Sequence, residues 1–383
     1  MRVALGLLRS REGEQRVTDV ELFFDLVYVF AVTQLSHYLF GHATFEGFLQ
    51  TLLLLAVVWL AWAYTMWVTN WFDPERLPVR AMLVGQMLIS LVLSIGLPEA
   101  FGHRGMLVAG AYVAMQVGRT IFVVLAAPGW ELQRNFERVL TWCVASGVLY
   151  IAGALVHGHA REVLWLLGIA VDLGGAAVGF FTPGLGRSRT TEWTIEGGHM
   201  AERCRLFVII ALGESIVVIG STVAGLHPVG GSQIAAFVTA FAGSVALWWV
   251  YFDRSAGEAA RVVAAADDPG RLGTQAFHWI HPLMIAGIIV AASADGRVLE
   301  HPGGHASTST AWLVLGGPAL FLAGHAAFKA IVWRIVPWTR LAGVALLGLL
   351  VMLAGHVSPL ALAIVGVLVV AAVAVTDRIR VAG

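Results

Sequence analysis

The amino-acid sequence predicts an all-α polytopic membrane protein with about twelve transmembrane helices. Hydrophobic residues fill 58% of its 383 positions, charged residues fill only 13%, and the mean hydropathy is +0.80. A soluble domain is about 25% charged, and a soluble chain this apolar would expose large apolar patches. The 43 glycines and 14 tryptophans fit the same class. Small residues let membrane helices approach closely, and tryptophan rings favour the headgroup region.

Apolar segments of bilayer length recur along the whole chain. A helix needs about 20 apolar residues to cross the hydrocarbon core. On this criterion the predicted spans are 18–40, 46–70, 80–98, 105–127, 136–156, 161–182, 200–224, 232–252, 274–293, 309–333, 338–356 and 358–376. They divide the chain into a cytoplasmic N-terminal segment (1–17), a first six-helix repeat (18–182), a cytoplasmic linker (183–199), a second six-helix repeat (200–376) and a cytoplasmic tail (377–383).

The distribution of basic residues predicts the orientation. If the N-terminus is cytoplasmic, every Lys and Arg lies on the cytoplasmic side except Arg104, Arg161 and Arg297. Positive charge concentrates on the cytoplasmic side of membrane proteins. An even number of spans returns the C-terminus to that side, so both termini are expected to be cytoplasmic.

Two pairs of segments indicate an internal duplication. DLVYVFAVTQLS (25–36) resembles RLFVIIALGESI (205–216), and WFDP (71–74) resembles YFDR (251–254), both at an offset of 180 residues. Six spans in each half would make the repeats parallel. In such proteins the binding site lies between the two repeats, so the two halves are expected to enclose a site.

The first predicted span carries two acids on one face. Thr18 and Glu21 fit a capping box, in which each side chain binds the free backbone N–H of the other residue. Asp25 lies one turn deeper on the same face, where a cap cannot explain it. Charged groups in a membrane are costly and are functional candidates by default. The alternative for Asp25 is a structural pairing with an arginine.

The seventh predicted span carries a longer polar stripe. His199, Glu202 and Arg203 share a face at spacings of three and four residues. Glu214 follows Arg203 by eleven residues, which returns it to nearly the same direction at about 100° per residue. It lies roughly 16 Å further along the helix axis, near the middle of the bilayer. Glu214 and Asp25 are therefore the leading candidates for an ion pathway, together with Glu202, Arg203, His199 and Glu21. The alternative for Glu214 is a structural role as a hydrogen-bond partner.

Other polar residues inside the spans are weaker candidates. Arg119 and His325 occupy matching places in the fourth and tenth spans and are added to the pathway. His278 and His281 are three residues apart, a spacing that suits metal ligation or a proton relay. Histidines with satisfied hydrogen bonds at the membrane interface are the alternative. Asp172, in the sixth span, is expected to pair with an arginine.

The second predicted span is rich in tryptophan. Trp59, Trp62 and Trp67 lie too deep for the interfacial aromatic belt. They are candidates for lining an apolar or cation-binding cavity. Packing against a neighbouring helix explains them equally well.

Several function classes have no support in the sequence. Walker, Rossmann, HExxH, GxSxG and CxxC motifs are absent from it, and no cofactor is predicted. Cys143 and Cys204 provide neither a disulfide framework nor a metal-ligand spacing. The formal net charge is zero, which removes the electrostatic basis for nucleic-acid binding.

Two motifs carry a family resemblance. ELFFDLVYVFAVTQLSH and HMAERCRLFVIIALGESIVVIG make the chain resemble the bacterial low temperature requirement protein A family, LtrA. The resemblance implies a multi-pass protein of the bacterial cytoplasmic membrane, and it does not imply an activity. The matching motif positions are Glu21, Phe24, Asp25, His199, Glu202, Arg203, Gly213 and Glu214.

A looser likeness concerns the two-repeat potassium channels. The six-plus-six organisation and the Phe-x-Asp spacing of Phe23 and Asp25 are similar to theirs. The second half departs from the pattern, because Arg205 lies where Asp25 would fall. This departure weakens the case for a symmetric cation pore, and fold analogy says little about function.

Three functions follow as hypotheses, with transport favoured over catalysis. In the first, a gradient drives an ion or small solute through a site between the halves, with Glu214 or Asp25 as the proton carrier. In the second, an intramembrane enzyme acts on a lipid-like substrate such as an isoprenoid diphosphate, with carboxylates holding Mg²⁺. In the third, the protein is a non-catalytic membrane stress factor. The expected partners are the lipid bilayer and a small solute or ion.

Overall fold

The computed structural model describes residues 6–10, 16–126, 128–193, 195–253 and 255–382. Within these ranges the regular elements are helices, and no β-strand occurs. The α-helices are α1 (Asp19–Gly41), α2 (Phe45–Trp71), α3 (Leu77–Gly96), α4 (Gly105–Ala126), α5 (Gln133–Leu155), α6 (His159–Ala177), α7 (Gly197–Gly225), α8 (Gly231–Phe252), α9 (Ser255–Ala264), α10 (Pro269–Gly273), α11 (His281–Glu300), α12 (Thr308–Trp333), α13 (Trp338–Leu350) and α14 (Pro359–Ala382).

Ten helices in the described part of the chain are long and apolar enough to cross a membrane. They comprise α1 to α5, α7, α8, the continuous segment Gly270–Glu300, α12 and α14. The all-α, multi-spanning class is thereby confirmed. The predicted spans 161–182 and 338–356 are also helical, as α6 and α13. Charged residues interrupt α6, and Trp338–Leu353 is a shorter apolar helix, so their crossing of the bilayer stays a prediction.

The ninth predicted span begins and ends differently in the structure. A π-helix, Thr274–Ile280, precedes α11, and Pro282 lies at the start of α11. The N–H groups in the first turn of a helix have no partner within the helix. Proline suits this position because it has no N–H to leave unpaired. The helix continues to Glu300, seven residues past the expected end at 293. The predicted loop before it, 254–272, contains the short helices α9 and α10.

One compact unit comprises Met1–Gln34, Leu52–Arg203 and Val263–Gly273. Within it α3, α4, α5 and α6 pack against one another in chain order. Residues 6–10 run beside the end of α2, where Leu8 and Phe72 form an isolated antiparallel bridge. The Arg9 backbone N–H donates to the Trp71 carbonyl at 2.8 Å. This pairing holds the Arg9 backbone beside the end of α2.

The other compact unit comprises Leu35–Thr51, Cys204–Val262 and Thr274–Gly383. Its most extensive packing joins α11 to α12. A Cβ added at Gly287 would lie 2.5 Å from the Phe321 backbone nitrogen, and one at Gly317 would lie 2.6 Å from the Ala291 backbone nitrogen. The two glycines therefore permit a backbone approach that a larger residue would block. The boundaries of the two units differ from those of the predicted repeats, and the duplication stays a prediction.

Candidate functional site

Arg203 of α7 lies at the centre of a cluster of charged side chains in the first unit. Its Nη2 and Nε donate to the two carboxylate oxygens of Asp25, at 2.5 and 2.9 Å. Its Nη1 donates to Oε1 of Glu21 at 2.9 Å and to Oγ1 of Thr69 at 3.2 Å. The side chains of Arg203, Glu21 and Asp25 are 0–1% exposed. Two-pronged pairing of a guanidinium with a carboxylate fixes both geometry and charge.

Helical spacing brings these groups together. Glu21 and Asp25 are four residues apart on α1, and His199 and Arg203 are four residues apart on α7. Residues at this spacing share one face of a helix. His199 therefore meets Glu21, with its Nε2 2.8 Å from Oε1, one turn away from the contact between Arg203 and Asp25.

Glu21 has a second set of donors at its other oxygen. Oε2 accepts the Thr18 backbone N–H and the Thr18 hydroxyl, both at 3.0 Å. The first of these bonds is the Glu21 half of the predicted capping box. Nη2 of Arg9 donates to the same oxygen at 2.5 Å. Glu21 is thus both a helix cap and a bridge between two arginines.

The amide of Asn70 sets the protonation of His199. Its Oδ1 accepts the Glu196 N–H at 2.9 Å, and its Nδ2 donates to the Glu196 carbonyl at 3.0 Å. These two backbone bonds orient the amide, so Nδ2 is the atom 3.2 Å from Nδ1 of His199. An amide NH₂ only donates, so Nδ1 must accept, and the ring proton lies on Nε2, facing Glu21. His199 is therefore neutral, and the charges of Arg9 and Arg203 balance those of Glu21 and Asp25.

Aromatic rings enclose the cluster. Nε1 of Trp62 donates to Oδ1 of Asp25 at 2.7 Å. The guanidinium of Arg203 lies 5.8 Å from the ring centroids of both Trp62 and Phe24, within the range of cation–π attraction. Trp59 packs on Trp62 at 4.9 Å between ring centroids. Trp67 instead belongs to a separate aromatic group with Trp71, at 5.7 Å.

A second buried network in the same unit joins Asp172 to Arg119. The hydroxyl of Tyr112 donates to Oδ2 of Asp172 at 2.6 Å and accepts from Nε2 of Gln116 at 2.8 Å. Nη2 of Arg119 donates to Oε1 of Gln116 at 2.5 Å, and its Nη1 donates to Oγ1 of Thr65 at 3.2 Å. Within the described residues Asp172 therefore does not pair directly with an arginine, contrary to the expectation, because Tyr112 and Gln116 lie between it and Arg119.

Helix α2 contributes to both networks. Trp62, Thr69 and Asn70 bind the ionic cluster, whereas Thr65 binds Arg119. The hydroxyl of Tyr64 donates to the Asp172 backbone carbonyl at 3.3 Å. The polar side chains on α2 therefore connect the helices that carry the two sets of buried charges, which are α1 and α7 in one set and α4 and α6 in the other.

The remaining predicted residues lie apart from these networks. Glu202 belongs to the first unit, and its Oε2 accepts the Val17 backbone N–H at 3.3 Å. Glu214 is buried in the part of α7 that belongs to the second unit. His325, in the second unit, accepts at Nδ1 from Nε of Arg340 at 3.0 Å. A chamber shared by Asp25 and Glu214 stays a prediction.

The two histidines considered for metal binding differ in their surroundings. Nδ1 of His281 is 2.9 Å from the Ala276 carbonyl, and Nε2 is 2.9 Å from the Tyr251 hydroxyl. A carbonyl only accepts, so Nδ1 carries the proton and Nε2 accepts from Tyr251. Both ring nitrogens are thereby engaged in the described structure. His278 is buried within the π-helix.

Comparison with known proteins identifies the family. The model of the family described as bacterial low temperature requirement A protein (LtrA) matches residues 16–375. The chain belongs to the LtrA family. An uncharacterized protein of Rhizobium meliloti (strain 1021) is 35% identical over 344 residues, which cover 89% of this chain and 84% of that protein. No solved structure matches the chain.

Several residues in the networks of this LtrA-family chain were not singled out from its sequence, namely Arg9, Thr65, Thr69, Asn70, Tyr112 and Gln116. Arg9 precedes both the first predicted span and the family match, so nothing in the sequence indicated that its side chain would join a buried cluster. Asn70 and Gln116 are uncharged side chains, and their partners are known only after the helices pack. Polar amides inside two apolar spans were the available signal.

Proposed function

We propose that this LtrA-family protein moves an ion or small solute across the bacterial cytoplasmic membrane, coupled to proton binding at Asp25. The observation that carries the proposal is the charge-balanced cluster of Arg203, Asp25 and Glu21, buried within helices that are apolar enough to span a bilayer. The proposal includes twelve spans, two parallel repeats and cytoplasmic termini.

Stability alone is a poor reason for such a cluster. Moving charges out of water costs several kcal/mol per ion, and well-packed hydrophobic residues often replace a buried ion pair at no loss. Ionisable residues within membrane helices therefore mark pathways and proton relays by default. Arg203 and Asp25 fit this expectation because each is fully buried and each makes several charge-assisted bonds.

Charge balance supplies a coupling mechanism. With His199 neutral, Arg9 and Arg203 offset Glu21 and Asp25. A proton added to Asp25 would remove one negative charge and break the two-pronged pairing. The excess positive charge would then be buried in a medium of low dielectric constant. A conformation that exposes or re-pairs Arg203 would become favourable, and alternation between two such states is what a proton-coupled carrier needs.

The contacts give less support to an enzyme acting on a diphosphate. Such an enzyme would direct arginines at phosphate and carboxylates at Mg²⁺. Here Arg9 and Arg203 both bind Glu21, and Asp25 binds Arg203. The acids and bases that would recognise the substrate satisfy one another instead.

Flux through reconstituted protein tests the proposal. The purified protein is reconstituted into liposomes that contain a pH-sensitive dye. When a gradient of the transported ion is applied, the pH inside the liposomes should change. Asp25→Asn, which keeps an acceptor for Trp62, should abolish the proton signal. Glu75→Gln, which changes an exposed carboxylate outside the helices, should leave it intact. Absence of flux in folded wild-type protein across protons and common inorganic ions would refute transport, and full proton coupling in Asp25→Asn would refute the role of Asp25.

A further inference from the structure

Asp295 of α11 lines a small cavity within the second unit. The cavity has a volume of about 40 Å³ and is lined by residues of α7, α8, α11, α12 and α14. Its polar side chains are Ser215, Thr239, Ser244 and Asp295. Among the residues that the structure describes, the carboxylate of Asp295 has neither an ion-pair nor a hydrogen-bond partner. A carboxylate inside a membrane helix without a protein partner requires another source of compensation.

A proline adds a backbone acceptor to the same cavity. Pro318 lies inside α12 and lines the cavity, as does Val314 four residues before it. Proline lacks an N–H, so the Val314 carbonyl loses its intrahelical donor. On the facing helix, a Cβ built at Gly366 would be 3.9 Å from that carbonyl oxygen. Glycine at this position keeps the space beside the carbonyl open.

The polar groups that line this cavity offer only oxygen atoms as ligands for a metal ion. A carboxylate, hydroxyl groups and a released carbonyl are the ligands that hard cations prefer. Broken or proline-interrupted membrane helices use freed carbonyls in this way to coordinate alkali cations. Nitrogen and sulfur ligands, which would favour zinc or copper, are missing from the cavity lining.

Charge selects the class of cation. A volume of about 40 Å³ exceeds the roughly 10–15 Å³ that a cavity needs to hold one water molecule, so a small ion has room in it. Mg²⁺ gives up its waters reluctantly, and the lining supplies a single carboxylate. One carboxylate neutralises one positive charge. We infer that Asp295, Ser215, Ser244 and the Val314 carbonyl bind a dehydrated monovalent alkali cation.

This inference does not rest on the proposed transport. The cavity lies within the second unit, and the prediction concerns binding to solubilised protein, which can succeed or fail whatever the flux measurements show. Linkage requires a ligand of the folded state to raise the unfolding temperature as its concentration increases. The full chain in detergent can therefore be tested with NaCl and KCl against N-methyl-D-glucamine chloride at constant ionic strength.

The expected result is a saturable rise of the unfolding temperature with Na⁺ or K⁺, which Asp295→Asn abolishes. Glu300→Gln, an exposed carboxylate at the end of the same helix, should respond like the wild type. Pro318→Ala should weaken the response, because an alanine N–H returns the Val314 carbonyl to the helix. Ser215→Ala should weaken it as well, and these two variants provide the test if Asp295→Asn does not fold.

Three outcomes would overturn the inference. In the first, neither alkali cation protects the wild type more than N-methyl-D-glucamine does, as expected of a dry cavity with a protonated Asp295. In the second, Asp295→Asn responds as the wild type does. In the third, Mg²⁺ or Ca²⁺ protects more strongly than Na⁺ and K⁺, which would contradict the assignment of a monovalent ion.

Discussion

Arg203 holds both carboxylate oxygens of Asp25, a residue 178 positions earlier in the chain, and both side chains are buried. The contact joins the two motifs on which the family resemblance depends. Because Arg203 also binds Glu21, its positive charge is shared between the two carboxylates of α1.

Removal of Arg203 alone should be severely destabilising. Arg203→Gln would leave Asp25 and Glu21 with one cation, Arg9, and breaking a buried pair in this way costs about 3–5 kcal/mol. The double variant Asp25→Asn, Arg203→Gln restores charge balance and should recover much of the loss. Thermal unfolding in detergent measures both. If the double variant is as unstable as the sum of the two single variants, the residues do not act as a pair.

His199 should be neutral with its proton on Nε2. The orientation of Asn70 requires this tautomer, since Nδ2 of the amide faces Nδ1 of the ring. Selective ¹⁵N-histidine labelling distinguishes neutral tautomers from the imidazolium. The resonance of His199, assigned by its loss in His199→Gln, should show a protonated Nε2 and an unprotonated Nδ1. A spectrum with both nitrogens protonated would contradict the charge balance of the cluster.

Gln116 should stabilise the first unit through its two bonds. Gln116→Leu would leave Arg119 without its 2.5 Å acceptor and Tyr112 without its donor. Leaving buried polar groups unsatisfied costs about 1–3 kcal/mol, more for a charged group. The unfolding temperature should fall clearly, whereas Gln275→Leu, which alters an exposed glutamine, should change it little. Equal effects of the two substitutions would mean that the Asp172–Arg119 network contributes nothing to stability.

Two adjacent glycines of α12 should respond differently to alanine. A Cβ at Gly317 would meet the backbone of Ala291 at 2.6 Å, but a Cβ at Gly316 would have no atom within 4 Å. Gly317→Ala should therefore force α11 and α12 apart and lower the unfolding temperature. Gly316→Ala should be neutral or stabilising by up to about 1 kcal/mol, because alanine favours helix. A stable Gly317→Ala protein would argue against the close packing of these helices.

The sequence was informative where helical periodicity and hydropathy decide the structure. Ten of the predicted spans fall on helices that are apolar enough to cross a membrane, and the other two, 161–182 and 338–356, overlap α6 and α13. A long apolar segment in lipid has to satisfy its backbone hydrogen bonds internally, which favours a helix. The shared faces of Glu21 with Asp25 and of His199 with Arg203 also follow from a spacing of four residues. The structural alternative considered for Asp25, a pairing with an arginine, is the contact observed.

Partners and small irregularities could not be predicted from one sequence. Which arginine meets Asp25 depends on how α1 and α7 pack, and no local pattern specifies that. Asp295 was missed because the ninth span was ended at 293, whereas α11 continues to Glu300. The π-helix that precedes α11 was also missed, because hydropathy does not distinguish a π-helix from an α-helix.

Proton flux through the charge-balanced double variant tests the central claim most directly. Asp25→Asn, Arg203→Gln should fold, since its remaining charges on Arg9 and Glu21 balance, so its activity reports on chemistry rather than on stability. Reconstituted at equal density beside the wild type, it should show no proton signal under an ion gradient that drives the wild type. A double variant that couples protons as well as the wild type does would show that the buried cluster is only a structural support.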